Sequence, residues 1–305
     1  MHAVRFDEYG GRDVLYIADV EIPQPAVGEV LVEVRAAAIN PGESSIREGY
    51  LHDRFPSTFP SGEGTDLAGV VSAVGEGVTS FSPGDEVFGW SWQRSSHADY
   101  ATVPAEQLVP KPAGVSWEAA GSLAVAGSTA WAAVGAVYRQ PGDVVGVSAA
   151  AGGVGSIAVQ LLRYRGAVVV GIASEANHDW LREHGAIPVA YGDDLEARMR
   201  EAAPSGLTAF VDTFGPEYID LAVALGVPPD RIDTVIAFDR ASEVGAKTDG
   251  SGVGTTTEVM GKLAELIDAG DLEIPIAGTY PLDRVQDAFA ELEHRHTRGK
   301  IVLTP

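Results

Sequence analysis

DVVGVSAAAGGVGSIAVQLLRYRG, residues Asp143 to Gly166, reads in succession as strand, glycine turn and helix. Val144 to Ala149 is a short apolar, β-branched run of the kind buried in a parallel sheet, and the turn follows it directly. From Val154 the apolar Ile157, Ala158, Leu161 and Leu162 recur at helical spacing, and Gly166 stands where a helix C-terminus favours glycine. A second apolar run, Ala167 to Ala173, supplies the next strand. In that context the turn Ala150-Ala151-Gly152-Gly153-Val154-Gly155 matches G-x-G-x-x-G with Ala150 in the place of the first glycine. Gly152 lets backbone approach a pyrophosphate, Gly155 lets helix and strand pack closely, and the helix N-terminus favours negative charge. The same residues also suit a tight strand-to-helix turn that holds nothing.

The rest of the chain divides around this unit. At 305 residues it has the length of about two domains. Before Trp117 the sequence offers short strands punctuated by glycine and proline: Ala3–Phe6, Glu29–Ala36, the Gly62–Val74 region and Glu86–Trp90, with one helical turn over Glu43–Glu48. That texture predicts a small β-barrel. From Ser116 long alanine-rich helical patterns alternate with apolar strands at Val144, Val168, Pro188–Ala190, Ala209–Asp212 and Thr234–Ala237, which predicts a doubly wound α/β domain. From Ser116 to Tyr138 the segment is expected to be mostly helical, Asp239–Gly254 reads as a loop over a site, and the end of the chain reads as helices Glu258–Asp268 and Val285–His294 and a strand Lys300–Leu303. The boundaries expected are 1–115 with 270–305 for the barrel and 116–269 for the doubly wound domain.

Composition narrows the chemistry. Asp and Glu number 43 against 21 Lys and Arg, a formal charge of -22, so nucleic acid and anionic membranes are unfavourable partners. No apolar run reaches the ~20 residues that span a bilayer. The N-terminal MHAVRFDEYG carries acids where a signal peptide is apolar, which gives a cytoplasmic expectation. The chain has no cysteine, so disulfides, thiolate nucleophiles and cysteine-ligated metals are excluded. Its 7 histidines form no H-E-x-x-H pattern, and His294 and His296 lie two apart on a polar tail as solvated residues. No G-x-S-x-G elbow is present. Glu63 and Asp66 sit in a glycine-rich turn, where an acid usually bonds backbone amides.

Several short strings, in order along nearly the whole chain, resemble the zinc-free quinone oxidoreductase branch of the medium-chain dehydrogenases/reductases. They are Ala38-Ile39-Asn40-Pro41, Gly64-Thr65-Asp66-Leu67-Ala68-Gly69, Gly84-Asp85-Glu86-Val87-Phe88-Gly89, Gly127-Ser128-Thr129-Ala130, the glycine turn, Asp212-Thr213-Phe214-Gly215 and His296-Thr297-Arg298-Gly299-Lys300-Ile301. The resemblance implies a GroES-like barrel rejoined by the C-terminal tail, an inserted Rossmann domain, a homodimer, and NADPH-dependent reduction of quinones, enones or related activated carbonyl compounds. Zinc-dependent relatives place a cysteine and a histidine where this chain has Asn40 and Thr65, so reduction without a Lewis acid is expected.

The resemblance also assigns residues. Asn40 would contact the nicotinamide ribose or amide and Thr129 would face the nicotinamide; as plain structure, Asn40 is a turn residue before Pro41 and Thr129 a hydroxyl bonding back along its helix. Further cofactor contacts fall on Pro41, Ala150, Gly152, Gly153, Val154, Phe214, Ala237, Gly299 and Lys300. Relatives bind the 2′-phosphate with a serine followed by arginine or lysine; here Ser174 is followed by Glu175, Ala176, Asn177 and His178, so the strong cation is missing. Ser174, Asn177 and His178 can still bond a phosphate, and Tyr191 either packs beside the adenine or lies on the surface. Tyr50, Trp90 and Trp92 either line a substrate pocket or belong to the core, with at least one expected in the core. Between the fourth and fifth strands Gly226-Val227-Pro228-Pro229-Asp230-Arg231 departs from the family's Gly-Gly turn. An NADPH-binding redox sensor with little turnover is the alternative, and the filled nicotinamide-facing positions favour the enzyme.

Overall fold

A computed structural model describes residues 1–250 and 254–305, so the part of the expected 239–254 loop at 251–253 lies outside the described residues. Two compact units result: 1–125 with 256–268 and 274–305, and 126–255 with 269–273. The division falls after Val125 instead of before Ser116, and the helix ending at Asp268 belongs with the first unit.

In chain order the first unit begins with β1 (His2–Phe6), β2 (Tyr16–Asp19), β3 (Glu29–Ala38), α1 (Pro41–Arg47), β4 (Ser61–Gly62), β5 (Asp66–Val74), β6 (Glu86–Trp90), β7 (Tyr100–Pro104), β8 (Leu108–Pro110) and α2 (Trp117–Ala120). Then come α3 (Leu123–Val137), β9 (Val144–Val147), α4 (Gly153–Tyr164), β10 (Val168–Ala173), α5 (His178–Glu183), β11 (Ile187–Ala190), α6 (Leu195–Ala202), β12 (Ala209–Asp212), α7 (Pro216–Ala224), β13 (Ile232–Thr234) and α8 (Phe238–Val244). The chain ends with α9 (Thr257–Asp268), β14 (Ile276–Pro281), α10 (Val285–Glu293) and β15 (Lys300–Thr304).

β3 organises the first unit. It pairs antiparallel with β5 along one edge, with β7 along the other, and at its C-terminal end with β15 through Val302 opposite Ala38. Its valines Val30, Val32 and Val34 are buried with Leu67, Val71, Val87 and Val103, the β-branched packing a pleated core favours. The tail rejoins this unit as expected: Val285, Phe289, Ile301 and Leu303 share a second core with Val4, Phe6 and Ile39. The sequence reading passed over β14, a parallel neighbour of β15 whose residues alternate between half-buried and exposed.

The second unit is a five-stranded parallel sheet in the order β11-β10-β9-β12-β13, doubly wound about β9. Two expectations are corrected. The helical segment to Tyr138 is made of two helices, α2 and α3, because Gly121 interrupts it: Ala38 N–H donates to Gly121 O, and a Cβ on Gly121 would stand 2.4 Å from Ala36 O. The last strand is Ile232–Thr234, two residues earlier than expected, since the Thr234 hydroxyl accepts from the Ala237 amide and turns the chain into α8. That helix occupies the first part of the expected loop.

Both edges of this sheet are blunted. β11 carries Pro188, which has no N–H to offer. Beyond β13, Lys247 N–H donates to Ile232 O and Lys247 O accepts from Thr234, a one-residue parallel bridge in place of a sixth strand. Among the described residues no helix is long and apolar enough to cross a membrane.

Candidate active site

The glycine turn of the second unit is built to receive an anion. α4 starts at Gly153 with Gly152 as its N-cap, and glycine has no side chain to bond the first amides of this 12-residue helix. Those N–H groups sit at the positive end of the helix dipole, so the residues present fit a pyrophosphate. Gly155 is required for packing: a Cβ there would stand 2.2 Å from Ala149 O. Val154 and Gly153 are half-buried at the mouth of the turn. Ala150, expected as a cofactor contact, is fully buried, and its methyl would lie 2.9 Å from a Cβ at Gly171. It serves as helix–sheet packing against that glycine, and the left-handed position of the turn is taken by Ala149 at φ 41.

Behind the turn a buried carboxylate joins three strand ends. Asp212 Oδ1 accepts from Ser148 Oγ at 2.7 Å, from Phe214 N at 3.0 Å and from Gly215 N at 3.1 Å, and Asp212 Oδ2 accepts from Thr234 Oγ1 at 2.7 Å. Burial pushes the carboxyl above its ordinary pKa, and these four donors oppose the shift. Phe214 and Ala237, both expected at the cofactor, are thereby held by their backbone amides. Ser148, Asp212 and Thr234 went unrecognised as a group, because only strand order brings them together.

At the end of β10, Ser174 Oγ accepts from Asn177 Nδ2 at 3.0 Å. His178 is half-buried with no partner for Nε2, Glu175 is exposed, and Tyr191 is 47% exposed. Thr129 is half-buried on α3, while its buried neighbour Ser128 bonds Thr255 Oγ1 at 2.9 Å.

The first unit gathers Asn40 and Lys300, two expected site residues, in a buried network. Asn40 precedes α1 as its N-cap, with Pro41 exposed at the first helical position. Glu43 reaches back to the Asn40 backbone N–H at 2.8 Å and accepts from Thr65 N at 3.0 Å. The Asn40 amide nitrogen donates to Asp66 Oδ2 at 3.1 Å and Glu43 Oε1 at 3.3 Å, and its oxygen accepts from Lys300 Nζ at 2.5 Å. Lys300 also donates to Ile39 O at 3.2 Å and lies 3.6 Å from Asp66. Gly299 precedes it at φ 76, where a Cβ would collide with Pro275 O. Asp66 follows the expectation for an acid in this turn, accepting from Val125 N at 2.7 Å. Glu63 does not: it pairs with buried Arg47 at 2.6 Å, whose guanidinium lies over Phe289. Burial raises the carboxyls of Glu43 and Asp66, pushes Glu63 up to about 8, and lowers His97 to about 4.

Both Nδ2 protons of Asn40 are engaged, so its side chain has no donor left, and its oxygen already meets Lys300 and, in the capping box, the Glu43 amide. Lys300 meets three oxygens, those of Asn40, Ile39 and Asp66. The chain offers a zinc ion no thiolate, and no group of three His, Asp or Glu side chains converges among the described residues.

Of the aromatic candidates, Trp90 is core at 4% exposure, with the 53% exposed Trp92 edge-on to it, and Tyr50 is 80% exposed. His294 and His296 are exposed, as expected of solvated residues.

Two families match the chain: the alcohol dehydrogenase GroES-like domain over residues 26–113 and the zinc-binding dehydrogenase over residues 119–303. The quinone oxidoreductase of Mus musculus is 29% identical, over 99% of this chain and 97% of its own length. The chloroplastic NADPH-dependent alkenal/one oxidoreductase of Arabidopsis thaliana is 29% identical, over 100% of this chain and 80% of its own. The Escherichia coli quinone oxidoreductase, solved in complex with NADPH, superposes with a TM-score of 0.87 at 26% identity, covering 100% of both chains. With a parallel Rossmann sheet, an uncapped glycine turn and a β3-centred GroES-like unit in these matching segments, the chain belongs to the zinc-binding dehydrogenase family and is an oxidoreductase of the quinone oxidoreductase branch of the medium-chain dehydrogenases/reductases.

Proposed function

We propose that this chain is an NADPH-dependent reductase that transfers a hydride to quinones, enones or related activated carbonyl compounds without zinc. The observation that carries the reading is the turn from Ala149 to Gly155, where an uncapped helix N-terminus and a glycine that admits no Cβ form a pyrophosphate cradle. NADPH, when bound, supplies the hydride. The chain supplies position: the first amides of α4 hold the phosphates, the Asp212 cluster fixes Phe214 and Ala237, and Asn40 takes the family's place at the nicotinamide ribose or amide. Thr129 contributes a hydroxyl beside the nicotinamide. An acceptor already conjugated needs no Lewis acid, and proton delivery from water or a hydroxyl completes the reduction.

The test is NADPH and NADH oxidation followed at the nicotinamide absorbance band with a panel of quinones and enones, alongside metal analysis of the purified protein. EDTA-resistant turnover by protein free of zinc supports the reading. Tight NADPH binding with no turnover across the panel moves the redox-sensor reading ahead. The homodimer suggested by relatives is part of the same proposal, with the edge of β13 already bridged by Lys247. Light scattering at low micromolar concentration checks it, and a clean monomer refutes it.

A further inference from the structure

The short stretch Ala269–Glu273 belongs to the second unit, and its last residue is gripped by α4 and α5. From α4, Gln160 Nε2 donates to Glu273 O at 3.0 Å and Gln160 Oε1 accepts from Glu273 N at 2.9 Å, so one side chain bonds both backbone groups of Glu273. From α5, the buried Trp180 donates Nε1 to Glu273 Oε1 at 2.7 Å, and His184 Nε2 lies 3.2 Å from the same oxygen. His184 Nδ1 lies 2.8 Å from Trp180 O, and its ring stacks on the Trp180 indole with 4.1 Å between centroids.

Counting donors fixes the state of this ring. Trp180 O can only accept, so Nδ1 carries a hydrogen. Glu273 Oε1 accepts from Trp180, so a hydrogen must also lie between Nε2 and that oxygen; without it two lone pairs face each other. A ring protonated on both nitrogens is an imidazolium, and the indole face beneath it and the C-terminus of α5, which His184 caps, both favour a cation. Of the other charged groups on these helices, Arg182 pairs with Asp179 and Glu183 is exposed. Arg163 opposes the cation, but it lies against Gly185 with Nη1 bonded to Ala167 O, whereas Glu273 touches the ring itself.

We propose that His184 and Glu273 form a proton-dependent clasp that sets α5 against α4 and so acts as a positioning device for the dinucleotide. This rests on the reading of the chain as a dinucleotide enzyme. α4 carries the amides of the glycine turn, and α5 begins at His178, directly after Ser174 and Asn177. Leu181 of α5 and the Ala150 methyl of the turn both abut Gly171 of β10, so a shift of α5 is felt at the turn and at the end of that strand. The clasp holds while its proton is bound, and its contribution fades as pH rises.

The experiment is thermal unfolding and NADPH binding by nicotinamide fluorescence at about pH 6 and about pH 8.5, for wild type, His184→Gln and Glu273→Gln. Comparing variant with wild type at one pH cancels the titration of the 2′-phosphate itself. At the lower pH each variant is expected to melt about 2–4 °C below wild type and to bind NADPH about threefold or more weakly, with both differences closing at the higher pH. Differences of one size at both pH values, or none at the lower, overturn the clasp. A melting difference that closes with pH while the affinities stay equal overturns the positioning role and leaves a structural ion pair. Wild type that binds no dinucleotide overturns the functional reading and the positioning role with it, while unfolding still reports on the clasp, so the failures are distinguishable.

Discussion

Lys300 Nζ donates to Asn40 Oδ1 at 2.5 Å, and this bond decides which end of the Asn40 amide faces the acids Asp66 and Glu43. With Oδ1 committed to the ammonium, Nδ2 must face the carboxylates. Asn40→Asp tests this arrangement. The new carboxylate would keep Lys300 on one oxygen and turn the other on Glu43 and Asp66; burial outweighs the Lys300 cation for both of those neighbours, and added like charge acts in the same direction, so its folded pKa lies above its unfolded value. An acid raised in the folded state stabilises below its unfolded pKa and loses that contribution as pH rises. The variant is therefore expected to be about 2–4 kcal/mol less stable than wild type at pH 8, with the gap narrowing toward pH 4, in denaturant unfolding across that range. A gap that does not change with pH would refute the orientation.

Gly155→Ala probes the cradle. Its Cβ would stand 2.2 Å from Ala149 O, a backbone atom that cannot swing aside, so α4 must move off the turn. A stability loss of about 1–3 kcal/mol by thermal unfolding is expected, together with at least tenfold weaker NADPH binding. Full affinity in the variant would show that close helix–strand packing is not what builds the site.

Thr234→Val removes one donor from Asp212 and the acceptor of the Ala237 amide without changing the shape of the side chain. A buried carboxylate with one unanswered lone pair costs about 1–3 kcal/mol. Ser148→Ala is expected to act in the same direction through the other oxygen, and the double variant to be non-additive because both hydroxyls bond one carboxylate.

His97 gives the fold a definite acid limb. Burial lowers its pKa from 6.5 to about 4, with Nε2 3.3 Å from Ala38 O. A base whose folded pKa is depressed is stabilising above its unfolded pKa, and the contribution is lost as pH falls from about 6.5 to about 4. The shift corresponds to about 3 kcal/mol. Stability curves for wild type and His97→Gln should diverge in slope across that window and run parallel above pH 7; equal slopes between pH 4 and 6.5 would refute the assignment.

Local sequence was sufficient for what depends on near neighbours. Apolar runs marked β9, β10 and β12, helical periodicity marked α4, α9 and α10, and the glycines of the turn announced their own conformational need, because propensity, periodicity and turn chemistry act within a few residues. The same local signals carried a helical segment through Gly121, where the approach of Ala36 O breaks it in two. The network of Asn40 and Lys300 joins residues 260 positions apart, and Asp212 meets Ser148 across 64. Sequence by itself therefore determined the fold class, the presence of a dinucleotide turn and the lack of any thiolate ligand. The tertiary structure alone decided which polar groups are already satisfied, and so which atoms remain free to meet a cofactor, since hydrogen-bond capacity is settled by whatever the fold brings within about 3 Å.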